Sequence, residues 1–92
     1  MTLLSEEEIA TALGTLRGWT RSGDAITTTV ELAGFREAML YTGAVAYLAE
    51  TANHHPDILI RWNRVTLTLS THSAGGLTGA DMALAGQISA LR

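Results

Sequence analysis

The organisation of the chain is clearest at Glu50-Thr51-Ala52-Asn53-His54-His55-Pro56-Asp57, where a long apolar helical pattern gives way to a strand pattern. This segment contains two of the three histidines and the single proline. A lone histidine is most often a partly buried, hydrogen-bonded side chain. For two adjacent histidines at the end of a rigid element, a role in acid–base chemistry is as well supported as a purely structural role.

The segment that precedes these histidines, residues 35–53, predicts one long helix. Its apolar residues recur at helical spacing and form a stripe with a second, wider side. The stripe is Phe35, Ala38, Met39, Val45, Ala46 and Ala49, and the second side is Tyr41, Ala44, Leu48 and Ala52. We expect so broad an apolar surface to be buried against the sheet and also against another subunit.

The segment that follows predicts a β-hairpin, because two runs of alternating residues flank Asn63-Arg64, which we interpret as a two-residue turn. That turn pairs Trp62 with Val65, Ile60 with Leu67 and Ile58 with Leu69, and we expect Trp62 to pack within the hairpin. Continued along the strands, the register brings His72 opposite His55. The three histidines are therefore expected to lie close together.

The rest of the chain supplies two helices and two strands. Ser5 and Glu8 form a capping box that opens the first helix, which stops near Gly18, and Thr78 and Asp81 form a second box. A short strand is expected at residues 19–21, a turn at 22–24, and a flexible loop at 73–77. Ile26, Thr28, Val30 and Leu32 mark one face of a longer strand, and Met82, Leu84, Ala85, Ile88 and Leu91 mark the inner face of the last helix.

This order predicts a single α+β domain over residues 1–92. We expect a four-stranded antiparallel sheet with three helices packed on one face, in the order α-β-β-α-β-β-α.

Composition excludes several classes of chemistry. The sequence has no cysteine and no lysine, so thiolate nucleophiles, cysteine zinc sites and Schiff bases are ruled out. A net charge of −3 argues against nucleic acid as the main partner. We expect a cytoplasmic protein, because no signal peptide and no membrane-spanning apolar run is present.

The candidate site combines His54, His55 and His72 with two carboxylates, Glu50 and Asp81. Glu50 lies one helical turn before His54, and Asp81 approaches if the loop after His72 folds over the site. Imidazoles oriented by carboxylates are suited to moving protons. Zinc is the competing interpretation, but adjacent histidines at a helix end point about 100° apart, which is awkward for chelating one ion.

These residues and their spacing resemble the signature of the pterin-4a-carbinolamine dehydratases. The match runs from Glu50-x3-His54-His55-Pro56 through Trp62 and His72 to Asp81. The surrounding sequence agrees at Gly18-Trp19 and at Gly75-Gly76-Leu77-Thr78. The spaced motif covers about a third of the chain. Two positions depart from the family pattern: Asn53 replaces an aspartate of some members, and Ala80 replaces a residue that is often basic.

The resemblance implies dehydration of 4a-hydroxytetrahydropterin to quinonoid dihydropterin without a metal or redox cofactor. It also implies acid–base catalysis by His54, His55 and His72, and orientation of the histidines or binding of the pterin by Glu50 and Asp81. Asp81 can also serve only as a helix cap. A homodimer or homotetramer is expected. The alternative function is a non-catalytic binding or assembly protein, since some mammalian relatives are dimerisation cofactors of a homeodomain transcription factor.

Overall fold

The computed structural model describes residues 2–92 and confirms the predicted order of helices and strands. The elements are α1 (Glu6–Thr15), β1 (Thr20–Ser22), β2 (Ala25–Glu31), α2 (Phe35–Ala52), β3 (Asp57–Arg61), β4 (Arg64–Leu69) and α3 (Gly79–Ser89), with a short 3₁₀ turn at His72–Ala74 between β4 and α3. The 3₁₀ turn replaces part of the loop expected at residues 73–77. Over residues 2–92, no helix has the length and hydropathy needed to cross a membrane.

The four strands form one antiparallel sheet in the spatial order β1-β2-β4-β3. Alternate residues of β2 and β4 point to the helices, and Ile26, Val65, Leu67 and Leu69 are fully buried there. Each such side chain contributes about 1.5–3 kcal/mol when it is removed from water. Residues of all three helices belong to the same hydrophobic cluster, so the helices cover this one face.

The hairpin register differs from the prediction. The observed pairs include Arg61 with Arg64, Ile60 with Val65 and Ile58 with Leu67, so the turn is Trp62-Asn63 rather than Asn63-Arg64. Asn63 explains the difference: its amide Nδ2 donates to the Leu32 carbonyl at 3.0 Å, and the Leu32 N–H donates to the Asn63 carbonyl at 2.8 Å. Asn63 is thereby anchored to the end of β2.

The shift moves every partner by two residues, which keeps each side chain on its predicted face. It also changes the environment of Trp62. This residue takes a left-handed φ of 51° in the turn and is 67% exposed, so the expected packing of Trp62 within the hairpin is wrong.

Only part of the α2 stripe is buried in the single chain. Ala38, Val45 and Ala49 are buried, whereas Phe35 and Met39 of the same predicted stripe are exposed. Leu91, expected on the inner face of the last helix, lies beyond α3 and is 42% exposed. The first helix likewise ends at Thr15, before Gly18, and Gly18 takes the left-handed φ of the following turn.

The capping box at the start of α1 is formed as predicted. The Ser5 N–H donates to Glu8 Oε1 at 2.8 Å, and the Glu8 N–H donates to Ser5 Oγ at 3.1 Å. The bond from the Ser5 backbone is the main cause that holds the pKa of Glu8 below its ordinary value. The carboxylate form of Glu8 is therefore stabilised in the folded protein.

Glu8→Ala is expected to lower the free energy of unfolding at neutral pH and to have little effect in acid. Because the folded pKa of Glu8 is depressed, its stabilisation is present above the unfolded pKa and is lost as the pH falls through the folded pKa. Urea denaturation at neutral pH and at about pH 3 measures this difference between variant and wild type. Glu7→Ala, which removes a first-turn carboxylate without a capping bond, is the control, and its effect at neutral pH should be smaller. An undiminished deficit of Glu8→Ala in acid would contradict the assignment.

Candidate active site

The turn at Asn53 places the two adjacent histidines. Asn53 takes a left-handed conformation with φ 50° and ψ 43°, which asparagine tolerates better than most residues. Its N–H donates to the Glu50 carbonyl at 3.1 Å, and the His54 N–H donates to the Ala49 carbonyl at 3.0 Å. These two bonds are the pattern of a Schellman motif and close the helix. His54 and His55 therefore lie in the extended segment before β3 rather than on the helix itself.

His54 is paired with a buried carboxylate. Its Nε2 lies 2.6 Å from Asp81 Oδ1, and the Asp81 side chain has no exposed surface. The other oxygen, Oδ2, accepts hydrogen bonds from the Thr71 hydroxyl at 2.8 Å and from the Thr78 N–H at 2.9 Å. The Thr78–Asp81 capping box is thus confirmed, and the same carboxylate also contacts His54.

His55 is paired with an exposed carboxylate. Its Nε2 lies 2.8 Å from Glu50 Oε2, and the side chains are 57% and 81% exposed respectively. The position of Glu50 one turn before His54 suggested a contact with that ring, but the structure gives the contact to His55. Because both partners are solvated, this pair adds little stability.

His72 lies in the 3₁₀ turn, which is held by backbone hydrogen bonds. The Gly75 N–H donates to the carbonyls of Thr71 and His72, and the Thr71 N–H donates to the Gly76 carbonyl at 2.9 Å. Gly75 closes the turn with a φ of 78°, a conformation that glycine adopts without strain. The His72 ring is exposed and has no hydrogen-bond partner in the part of the chain that the structure describes.

The three histidines line one cleft of about 300 Å³, together with Asn53, Ser70, Thr71 and Ser73. A second cleft of about 220 Å³ shares His55, Ser70 and His72 with it and is bordered by Asp24, Ala25, Asp57 and Thr68. Of the two predicted carboxylates, Asp81 lies behind His54 and Glu50 lies beside His55, and neither lines a cleft. Across residues 2–92, no group of three or more His, Asp or Glu side chains is arranged to hold a metal ion.

Sequence reasoning missed three polar residues of this region. Thr71 is 5% exposed, and its hydroxyl fixes Asp81. A signal was available, because Thr71 continues the inward-facing row of Val65, Leu67 and Leu69. Asp24 and Asp57 reach the cleft from the β1–β2 turn and from the start of β3, and only the tertiary fold brings them together.

Asp81→Ala is expected to lower the free energy of unfolding by about 3 kcal/mol or more, because it leaves two buried donors and the His54 ring without their shared partner. Glu50→Ala is the matched control, since it breaks a carboxylate–imidazole contact of similar length at an exposed site, and a change within about 1 kcal/mol is expected. Urea denaturation at neutral pH measures both values. Equal destabilisation by the two substitutions would show that burial of Asp81 is not the decisive factor.

Comparison of the sequence with known proteins finds close relatives. A protein of Nocardia farcinica bearing the name "Putative pterin-4-alpha-carbinolamine dehydratase" is 61% identical over 89 residues, which span 97% of this chain and 94% of that protein. A protein of Roseiflexus castenholzii with the same name is 57% identical over 86 residues, 94% of this chain and 92% of its own length.

Solved structures agree on the fold. A crystal structure of a transcriptional coactivator/pterin dehydratase from Brucella melitensis has a TM-score of 0.93 at 35% identity and covers 98% of both chains. A pterin dehydratase-like protein described as a RuBisCO assembly factor of the alpha-carboxysome has a TM-score of 0.69 at 23% identity, covering 82% of this chain and 89% of that one; it shares the fold alone.

The family comparison extends over almost the whole sequence. A profile of the family described as "Pterin 4 alpha carbinolamine dehydratase" matches residues 2–91. The chain belongs to the pterin 4 alpha carbinolamine dehydratase family.

Proposed function

We propose that this protein dehydrates 4a-hydroxytetrahydropterin to quinonoid dihydropterin and water by histidine general acid–base catalysis. The reaction breaks the bond from C4a to its hydroxyl, which leaves as water after receiving a proton, and N5 of the ring loses a proton. The observation that supports the proposal is the meeting of three imidazoles from two separated segments at one cleft, in a chain of this family.

Asp81 has a positioning role in this scheme. A carboxylate can only accept hydrogen bonds, so the Nε2 of His54 donates to it and a neutral His54 carries its lone pair on Nδ1. Oδ1 of Asp81 contacts His54, and Oδ2 accepts from two buried donors, which favours orientation of His54 over direct contact of Asp81 with the pterin. His54 is thus held in one tautomer at the back of the cleft.

His55 and His72 supply the more exposed imidazoles. Both border the cleft of about 300 Å³ and the adjoining cleft of about 220 Å³, so a flat bicyclic ring lying across the two would contact them. Glu50 contacts His55 from outside the two clefts, which favours orientation of this ring over direct binding of the pterin. Asp57 and Asp24 line the smaller cleft and offer acceptors for the amine and amide edge of the pterin.

A non-catalytic function is the second candidate. The Brucella structure, 35% identical to this chain, carries both coactivator and dehydratase in its title. The presence of His54, His55 and His72 around one cleft favours the enzyme for this chain, because a surface used only for partner binding has no need of three clustered imidazoles.

We also propose that the protein is a homo-oligomer. Phe35, Met39, Leu40 and Tyr47 expose 45–72% of their surface on one helix, and Ile58 and Leu59 are exposed on β3, an edge strand. A row of large apolar side chains on a single helix is typical of a contact surface. The cytoplasmic location expected from the sequence stays a prediction.

His55→Ala and His72→Ala are each expected to lower the enzymatic rate of dehydration by about 10²-fold or more, the usual contribution of a positioned acid or base. The assay uses freshly generated 4a-hydroxytetrahydropterin, with chelator present, and subtracts the rate without protein. Because both rings are solvated, circular dichroism and urea denaturation should match wild type.

The control for this experiment is Ser73→Ala, which alters the rim of the same cleft without removing an ionisable group. Its rate should stay near that of wild type. Wild-type rates in both histidine variants would refute the catalytic assignment and leave the binding function as the better explanation.

Sedimentation velocity at micromolar concentration is expected to show a species well above the 9.8 kDa of one chain. Tyr47→Glu should shift it towards the monomer, because a charge at a desolvated contact lacks a partner. Thr11→Glu, at an exposed position of α1, should leave the sedimentation coefficient unchanged. A monomer in the wild-type protein would rule out the proposed assembly.

A further inference from the structure

Another cleft lies away from the histidines and shares no lining residue with the two clefts that the histidines border. Its volume is about 250 Å³, and its walls include Arg17, Trp19, Thr28, Tyr41, Ser89 and Arg92. We call it the arginine cleft. Residues from the α1–β1 connection, β2, α2 and the end of α3 contribute to it, so it is a feature of the folded domain rather than of one loop.

The arginine cleft is lined by two arginine residues whose side chains have no carboxylate side chain as a partner in the described part of the chain. Arg21, Arg36 and Arg64 have carboxylate partners, whereas neither Arg17 nor Arg92 forms an ion pair within residues 2–92. No Asp or Glu is among the lining residues that the structure describes. A guanidinium group that has no carboxylate partner favours binding of an anion beside it.

A hydroxyl at the wall of the cleft also lacks a protein partner. Thr28 is 9% exposed and points to the core side of β2, where its neighbours Ile26 and Val30 are apolar. Its Oγ1 lies 3.6 Å from the position that a Cβ on Gly18 would occupy, which places the hydroxyl at the cleft wall. Thr28 forms no side-chain hydrogen bond within residues 2–92. No buried side-chain polar atom in the described residues is left without a partner, so this unpaired hydroxyl keeps access to the cleft and is available to a ligand.

Two further hydroxyls are free to donate. Ser89 Oγ accepts the Trp19 indole N–H at 3.0 Å, so its own hydrogen is not used in that bond. Tyr41 is half-buried and has no hydrogen-bond partner within the described chain, and burial raises its pKa, so its hydroxyl stays protonated. The cleft therefore presents O–H and guanidinium donors, and no Asp or Glu side chain lines it in the described part of the chain.

We propose that the arginine cleft binds a small oxyanion, either inorganic phosphate or the carboxylate or phosphate group of a small metabolite. Guanidinium groups match such anions by paired N–H donors, and the hydroxyls complete the coordination. The volume of about 250 Å³ is below the usual range for drug-sized ligands, which fits a compact anion.

The test is a titration of the ¹⁵N-labelled protein with sodium phosphate and, separately, sodium acetate, with chloride adjusted to keep ionic strength constant. The Trp19 indole N–H and the Gly18 amide report on the cleft, and the exposed Trp62 indole in the β3–β4 turn is the internal control. Saturable chemical-shift changes of the first two signals, with no change in the Trp62 signal, support the site. Saturation by phosphate alone identifies a phosphate ligand, and saturation by acetate as well identifies a general oxyanion site.

Two variants and one control locate the binding. Arg17→Gln should weaken affinity at least about tenfold, because it removes a charged donor. Thr28→Val, which keeps the side-chain shape, should weaken affinity severalfold. Arg61→Gln removes an equal charge from another arginine without an ion pair, on β3, and should leave affinity unchanged.

The proposal is overturned by chemical-shift changes that rise linearly with anion concentration, by equal changes in a titration with sodium chloride alone, or by equal affinities of Arg17→Gln and Arg61→Gln. None of these readouts uses dehydration. Failure here would therefore leave the proposed enzyme untouched, and loss of the enzyme proposal would leave this one standing.

Discussion

The buried carboxylate of Asp81 is the interaction on which both the fold and the candidate site depend. A charge without exposed surface is costly unless hydrogen bonds surround it, and here three donors do so: the Thr78 N–H, the Thr71 hydroxyl and the His54 ring. The first belongs to the start of α3, the second follows β4, and the third follows α2. One carboxylate therefore joins the start of α3 to the end of β4, ten residues away, and to the segment after α2, 27 residues away.

Local patterns were sufficient to predict this arrangement in outline. The Thr78–Asp81 capping box is visible in four consecutive residues, and alternation over β2 and β4 identifies the buried face. The hairpin register was wrong because it is fixed by Asn63 and Leu32, which are 31 residues apart, so no property of the turn itself reveals it. The error of two residues left the core prediction intact, since strand side chains alternate with a period of two.

Other features depend on tertiary placement and could not be obtained from periodicity. The spacing of apolar residues identifies the stripe on α2 but does not specify what covers it. Phe35 and Met39 of this stripe therefore remain exposed in a single chain. The partner of Glu50 changed from His54 to His55 once Asn53 had ended the helix with a left-handed residue. Thr28 has the alternation of a core residue, and only the placement of Gly18 beside it shows that its hydroxyl borders a cleft.

The two histidine–carboxylate pairs have similar lengths, 2.6 and 2.8 Å, but opposite environments, and the proposed reaction uses that difference. Dehydration gives one proton to the leaving hydroxyl and takes one from N5, so the protein ends each cycle with its proton count unchanged but its protons on different rings. A buried pair fixes His54 in one orientation but restricts its exchange with water. His55 and His72 are exposed, so their rings can exchange protons directly with water. In the proposed reaction, the fixed ring supplies geometry and the solvated rings restore their protonation by exchange with water.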